Sequence, residues 1–184
     1  MTRSGMKLTI SAIHFLRAAT KIDHDEVDRI FSRFDLSEVD EYGKFLEAHA
    51  MALLPIEALL GQMPQLPSWR TRGEALRSDL HCLRRTLPLP LTITPPANQP
   101  QALGMLYVVE GSRLGAAVLV TRVAPALPRT FLNARHLPGE WRTLLDYLRV
   151  AGADEFWMPG AIAGARSAFQ AFKRAGKTVL NDRN

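Results

Sequence analysis

The chain has 184 residues, a formal net charge of +5 and one cysteine. That length builds a hydrophobic core without metal or disulfide staples, and Cys82 alone excludes an internal disulfide, a zinc ribbon and an iron–sulfur site. With 47% hydrophobic and 22% charged residues the chain is not disordered, and a lone thiol fits the reducing cytoplasm.

The basic residues are scattered among acids, and the aromatic residues (8%) are not interleaved with them as a base-stacking platform requires. This argues against nucleic acid and leaves an acidic small molecule or an acidic protein to meet the charge. No membrane segment is expected: the most apolar stretch, 102–126, is broken by Glu110, Arg113 and Arg122. The apolar run after Lys7 ends at His14 and Arg17, shorter than the core of an export signal.

The apolar pattern has helical period nearly throughout. Ile13, Leu16, Thr20, His24, Val27, Phe31 and Phe34 step by three and four, which predicts one face of a long first helix after a tail over 1–10. Ser37, with Asp40 three residues on, reads as the N-cap of a second helix to about residue 60. Tyr42, Phe45, Leu46, His49, Leu53 and Ile56 form its inner stripe, and Pro55 predicts a kink. A third helix is expected over 68–86, with Leu76, Leu80 and Leu83 inward. Residues 87–100, with five prolines, form an extended connection holding the single candidate strand, 91–94. A fourth helix is expected over 99–123, a fifth over 138–150 and a sixth over 159–180. Neither a repeat nor a second domain is evident, so the expectation is a single all-α domain over 1–184.

Two segments carry chemistry. His24 falls on the apolar stripe of the first helix, and alone it reads as a core histidine satisfied by a carbonyl. Its neighbours point elsewhere. At 100° per residue Arg17 lies about 20° from His24 around the axis and Lys21 about 60°. Asp28, at i+4, is placed to accept the second imidazole N–H, which fixes the tautomer of a metal-bound histidine. No acid stands three residues before any histidine, which excludes the Glu-x-x-His pairs of di-iron bundles. One histidine does not hold a bare metal ion, but it holds an iron whose equatorial positions come from a porphyrin.

The second segment, Leu106-Tyr107-Val108-Val109-Glu110-Gly111-Ser112-Arg113-Leu114-Gly115-Ala116, places two glycines one turn apart inside a helix. Each destabilises the helix by about 1 kcal/mol relative to alanine. Gly111 and Gly115, with Ser112 and Ala116, make a strip almost without side chains. Close helix packing and a flat ligand laid on the main chain are the two readings of that strip.

Leu16-Arg17-x-x-Thr20-x-x-x-His24, followed by Val27-Asp28, resembles the proximal helix of heme oxygenases. Leu106 to Gly115 resembles the distal helix of that family, in wording close to the bacterial members associated with bacteriophytochromes. The 87-residue separation of His24 and Gly111 fits as well.

The resemblance implies heme b held between two helices, as both substrate and cofactor. His24 would be the axial iron ligand and Asp28 its supporting partner. Gly111 and Gly115 would let the distal backbone approach the heme, with Ser112 in a proton relay. Arg17, Lys21, Tyr107 and Arg166 would contact the heme, the cations meeting its propionates. Ala116, where many relatives have a further glycine, would narrow the oxygen pocket. The implied activity is that of a monooxygenase: dioxygen, with electrons from ferredoxin or another reductant, opens heme to biliverdin, carbon monoxide and ferrous iron. An acidic redox protein and a bacteriophytochrome that accepts biliverdin are the implied protein partners. Two alternatives stay open: a heme carrier or sensor with little turnover, and a helical interaction protein without cofactor.

Overall fold

The computed structural model describes residues 4–152 and 156–181, with side chains from residue 12 onward. Helix α1 spans Ser4–Phe31, so regular structure starts inside the stretch expected as a tail. It is followed by α2 (Val39–Leu60), α3 (Gly73–Cys82) and α4 (Gln99–Leu119), which runs into a 3-10 turn, Val120–Arg122. The chain continues through α5 (Thr130–Asn133), α6 (Glu140–Ala151) and α7 (Trp157–Asn181). No strand occurs among the described residues.

Where start signals are local, the sequence locates them. Asn98 accepts a hydrogen bond from the Gln101 N–H at 3.1 Å and opens α4, with Pro100 in its first turn. Ser37, by contrast, is not a cap. Its N–H and hydroxyl both donate to Asp35 Oδ1, at 3.0 and 2.7 Å, so α2 begins two residues later and rests on Asp40 and Glu41 against its dipole.

Distant carboxylates set the starts of α3 and α5. Glu57 of α2 accepts from the Arg72 and Gly73 N–H groups at 2.7 and 3.0 Å, which starts α3 at Gly73 rather than 68. Asp79, fully buried, accepts from Thr130 and Phe131 N–H at 3.1 and 2.8 Å and creates α5, a helix that periodicity does not announce. Gly139, at φ 91°, delays α6 to Glu140. At the other end of α3, Arg84 takes φ 55° and the Arg85 N–H closes onto Leu80 O, stopping the helix well short of residue 86.

Pro55 leaves α2 continuous. It cannot donate to Met51 O, and that carbonyl accepts from Leu91 N–H at 2.9 Å instead. The same bond explains the missing strand: residues 91–94 dock on a helix, with Leu91 and Ile93 half-buried against the core, and have no ladder to join.

Helix α7 is the axis of the molecule; α4, α1 and α2 all pack along it. Its closest crossing, with α4, is built on glycine. A Cβ on Gly104 would stand 1.9 Å from Ala161 O, and one on Gly164 would stand 1.9 Å from Gln101 O. The aromatic core lies where α2 and α7 converge, with Phe31, Phe45, Phe131 and Phe172 around His49. His49 Nδ1 donates to Phe45 O at 2.9 Å, and burial pulls its pKa down to about 4, so this imidazole is neutral. The stretch Gln99–Arg122 is long and apolar enough by composition to cross a membrane, and 56% of its most apolar window is buried inside the fold.

Candidate functional site

Helices α1 and α4 lean on α7 and pack little on each other, which leaves the α1 and α4 faces that carry the two motifs open. On α1, Leu16, Thr20 and Phe31 are buried and Val27 is half-buried. His24 stands at the edge of this stripe rather than within it, its side chain 58% exposed. Nδ1 lies 3.2 Å from Asp28 Oδ2 and 4.0 Å from Asp25 Oδ1, and the ring meets Phe169 of α7 edge-on at 5.8 Å. Asp28 is thus the nearer of two carboxylates beside Nδ1, one helical turn away.

Of the two cations near it, Lys21 pairs with Asp25, one turn along. Arg17 is exposed and acts electrostatically on the Tyr107 phenol of α4, opposing the upward push of burial on that group. Arg166 is engaged elsewhere: it donates to Ala19 O at 3.1 Å and its Nε stands 3.5 Å from Asp23. With Gln170 on Asp23 and Lys173 on Glu26, it stitches α7 to α1.

On α4, Gly115 is exposed, and a Cβ there would meet nothing within 4 Å. Leu114 and Val118 beside it are 51% and 68% exposed. A Cβ on Gly111 would meet only Trp141, at 3.7 Å. The indole stacks on Tyr107 at 5.8 Å and lies 5.5 Å from the His136 ring. Ala116 is buried, on the side away from the open face. Ser112 turns inward too. Its hydroxyl donates to Val109 O at 2.7 Å and accepts from Arg72 Nη2 at 2.6 Å. The glycines, not a side chain, shape the open surface of α4.

Behind them lies a buried polar cluster that spacing does not reveal. Arg113 Nε donates to both Glu110 oxygens at 3.0 and 3.1 Å, and His136 Nε2 stands 3.1 Å from Oε2. Arg113 also donates to Ala134 O at 2.6 Å and to Arg70 O. Burial lowers the His136 pKa, against the opposing pull of Glu110. The Glu110–Arg113 pair pins two loops to α4. Arg72, Arg113 and His136 come from segments 23 to 64 residues apart, and no local pattern links them.

No group of three or more metal-ligating side chains occurs among the described residues. No family model matches the chain. A protein of Xanthomonas campestris pv. campestris (strain 8004) named heme oxygenase is 31% identical over 153 residues, covering 73% of this chain and 88% of that protein. The crystal structure of the NO- and CO-bound heme oxygenase from Neisseria meningitidis superposes with a TM-score of 0.75 and 26% identity, over 92% of each chain. An all-helical fold with an imidazole beside a carboxylate on α1 and two glycines one turn apart on α4 thus coincides with likeness in sequence and shape, and the chain belongs to the heme oxygenase family.

Proposed function

We infer that this protein is a heme-degrading enzyme that opens heme to biliverdin, carbon monoxide and ferrous iron, using dioxygen and electrons from an external donor. The observation that carries the reading is the imidazole of His24, with the Asp28 carboxylate 3.2 Å from Nδ1, in a chain of this family. Heme, when bound, supplies the iron that activates dioxygen and the ring that is cleaved.

The chain's own residues do the rest. His24 would offer Nε2 to the iron, with the Asp28 carboxylate beside Nδ1 to orient the ring. A neutral imidazole, unlike a thiolate, does not push electron density toward O–O cleavage before the ring is attacked. Gly111 and Gly115 let main chain, rather than side chains, border the reacting space, with Trp141 and Tyr107 as an aromatic wall. Arg17 and Lys21 orient the ring edge through its carboxylates, so the cleaved position follows from how those are anchored. Ser112 stands behind this surface, its proton given to Val109 O and its oxygen held by Arg72. In our reading an acidic redox protein delivers the electrons, a bacteriophytochrome is the candidate acceptor of biliverdin, and the reaction runs in the cytoplasm.

The direct test is hemin plus a reducing system in air: the Soret band should give way to biliverdin absorption. A stable Soret band under those conditions would favour a carrier or sensor.

Gly115→Leu separates binding from turnover. The leucine meets no neighbour and improves helix propensity, so the apo fold should gain about 0.7 kcal/mol in a urea melt. The same side chain enters the reacting space, so biliverdin formation should fall at least tenfold while the Soret band persists. Undiminished turnover would show that Gly115 does not border the reaction.

Arg17→Glu combined with Lys21→Glu should weaken hemin binding roughly tenfold or change the biliverdin isomer, because two attractions to the propionates become repulsions. Identical affinity together with an identical isomer would mean that these cations do not anchor the ring.

A further inference from the structure

Arg72 is 3% exposed, yet its guanidinium touches no carboxylate. Nη2 donates to Val109 O at 3.0 Å and to Ser112 Oγ at 2.6 Å, Cζ stands 5.0 Å from the centre of the Phe131 ring, and Nε is buried without a partner. The ionisable groups that face it are Glu57 and His49 of α2 and Glu110 and Arg113 of α4. None neutralises it by contact: Glu57 is bound to the N–H groups that start α3, and Glu110 is bound to Arg113 and His136. Burial, reinforced by Arg113, pulls the Arg72 guanidinium down to about 10, so it stays charged at neutral pH.

A buried cation held by neutral oxygens is costly, and apolar packing would serve stability better. Its position suggests what the charge is for. Val109 and Ser112, which receive it, bracket the turn that contains Gly111. On the far side of that turn α4 carries no side chain at Gly111 or Gly115; Trp141 borders Gly111 at 3.7 Å, and Gly115 is open.

We propose that Arg72 is a positioning residue that keeps a fixed positive charge beneath the Gly111 turn of α4, where it stabilises whatever on the open face loses a proton or gains an electron during heme cleavage. This rests on the reading that heme lies against α4. The charge acts without reorganisation, because the guanidinium is wedged between main chain and the Phe131 ring.

The test uses the full chain loaded with ferric hemin and follows the pH at which its absorption passes from the acid to the alkaline spectrum. Arg72→Gln keeps donors for Val109 O and Ser112 Oγ but removes the charge. It should raise that pH by about one unit, while Arg72→Lys stays close to wild type. Should Arg72→Gln fail to load hemin, Glu57→Gln reads the same field with the opposite sign and should lower the transition. An unchanged transition in hemin-loaded Arg72→Gln, a lysine variant displaced as far as the glutamine one, or no shift in Glu57→Gln would each overturn the proposal. Failure of the wild type to show a Soret band that depends on His24 would instead defeat the placement of heme.

Discussion

Replacing His24 with alanine should abolish the axial imidazole signature of the hemin complex and stop biliverdin formation, while leaving the fold almost untouched. The two halves of that expectation have separate physical origins. The side chain is 58% exposed, and its pair with Asp28 is solvated, so stability should change by no more than about 0.5 kcal/mol in a denaturant titration. Ligation, by contrast, rests on one nitrogen: no neighbouring histidine shares this face of α1, and the remaining described histidines are remote in sequence or engaged with other partners, His49 with Phe45 O and His136 with Glu110. Added imidazole should restore part of the spectrum, because the vacated position is open to solvent. A variant with the wild-type Soret band and wild-type turnover would remove His24 from the mechanism.

The second large effect is structural. Gly164→Ala should destabilise the apo protein by about 3 kcal/mol or more, lowering Tm by roughly 6–12 °C. The new methyl carbon would lie 1.9 Å from Gln101 O and 2.6 Å from Gln101 C, and these are main-chain atoms that move only if α4 moves. A gain of about 1 kcal/mol in helix propensity does not offset such an overlap. Because α4 carries Gly111 and Gly115, the displaced helix should also bind hemin more weakly. An unaltered melting temperature would mean that α4 and α7 do not cross as closely as their glycines indicate.

These two residues show where a sequence is readable. His24 and Asp28 are four apart on one helix, so their contact follows from helical geometry, as does the side-chain-free strip of Gly111 and Gly115. Close helix packing was an equal reading of that strip, yet the tight crossing belongs to Gly104 and Gly164. Nothing in the spacing distinguishes a glycine that faces a partner helix from one that faces open space. Ser112 illustrates the converse: sequence suggests a proton relay, but Arg72, 40 residues away, occupies its oxygen and Val109 takes its proton. Arg166, grouped by sequence with the heme contacts, is bound to Asp23 and Ala19 O.

The amino-acid sequence by itself determined the all-helical class, the inner stripe of α2, the start of α4 at Gln99, and the two segments that resemble the family. Each of these depends on relations within a turn or two, which backbone geometry dictates wherever the residues lie. Only the tertiary structure decided that Glu57 and Asp79 begin α3 and α5, that Leu91 takes the carbonyl Pro55 leaves free, and that a buried arginine stands behind the distal glycines. Those contacts join residues far apart in the chain. They form because an unpaired polar group inside a packed core is expensive, and a remote partner satisfies it as well as a near one.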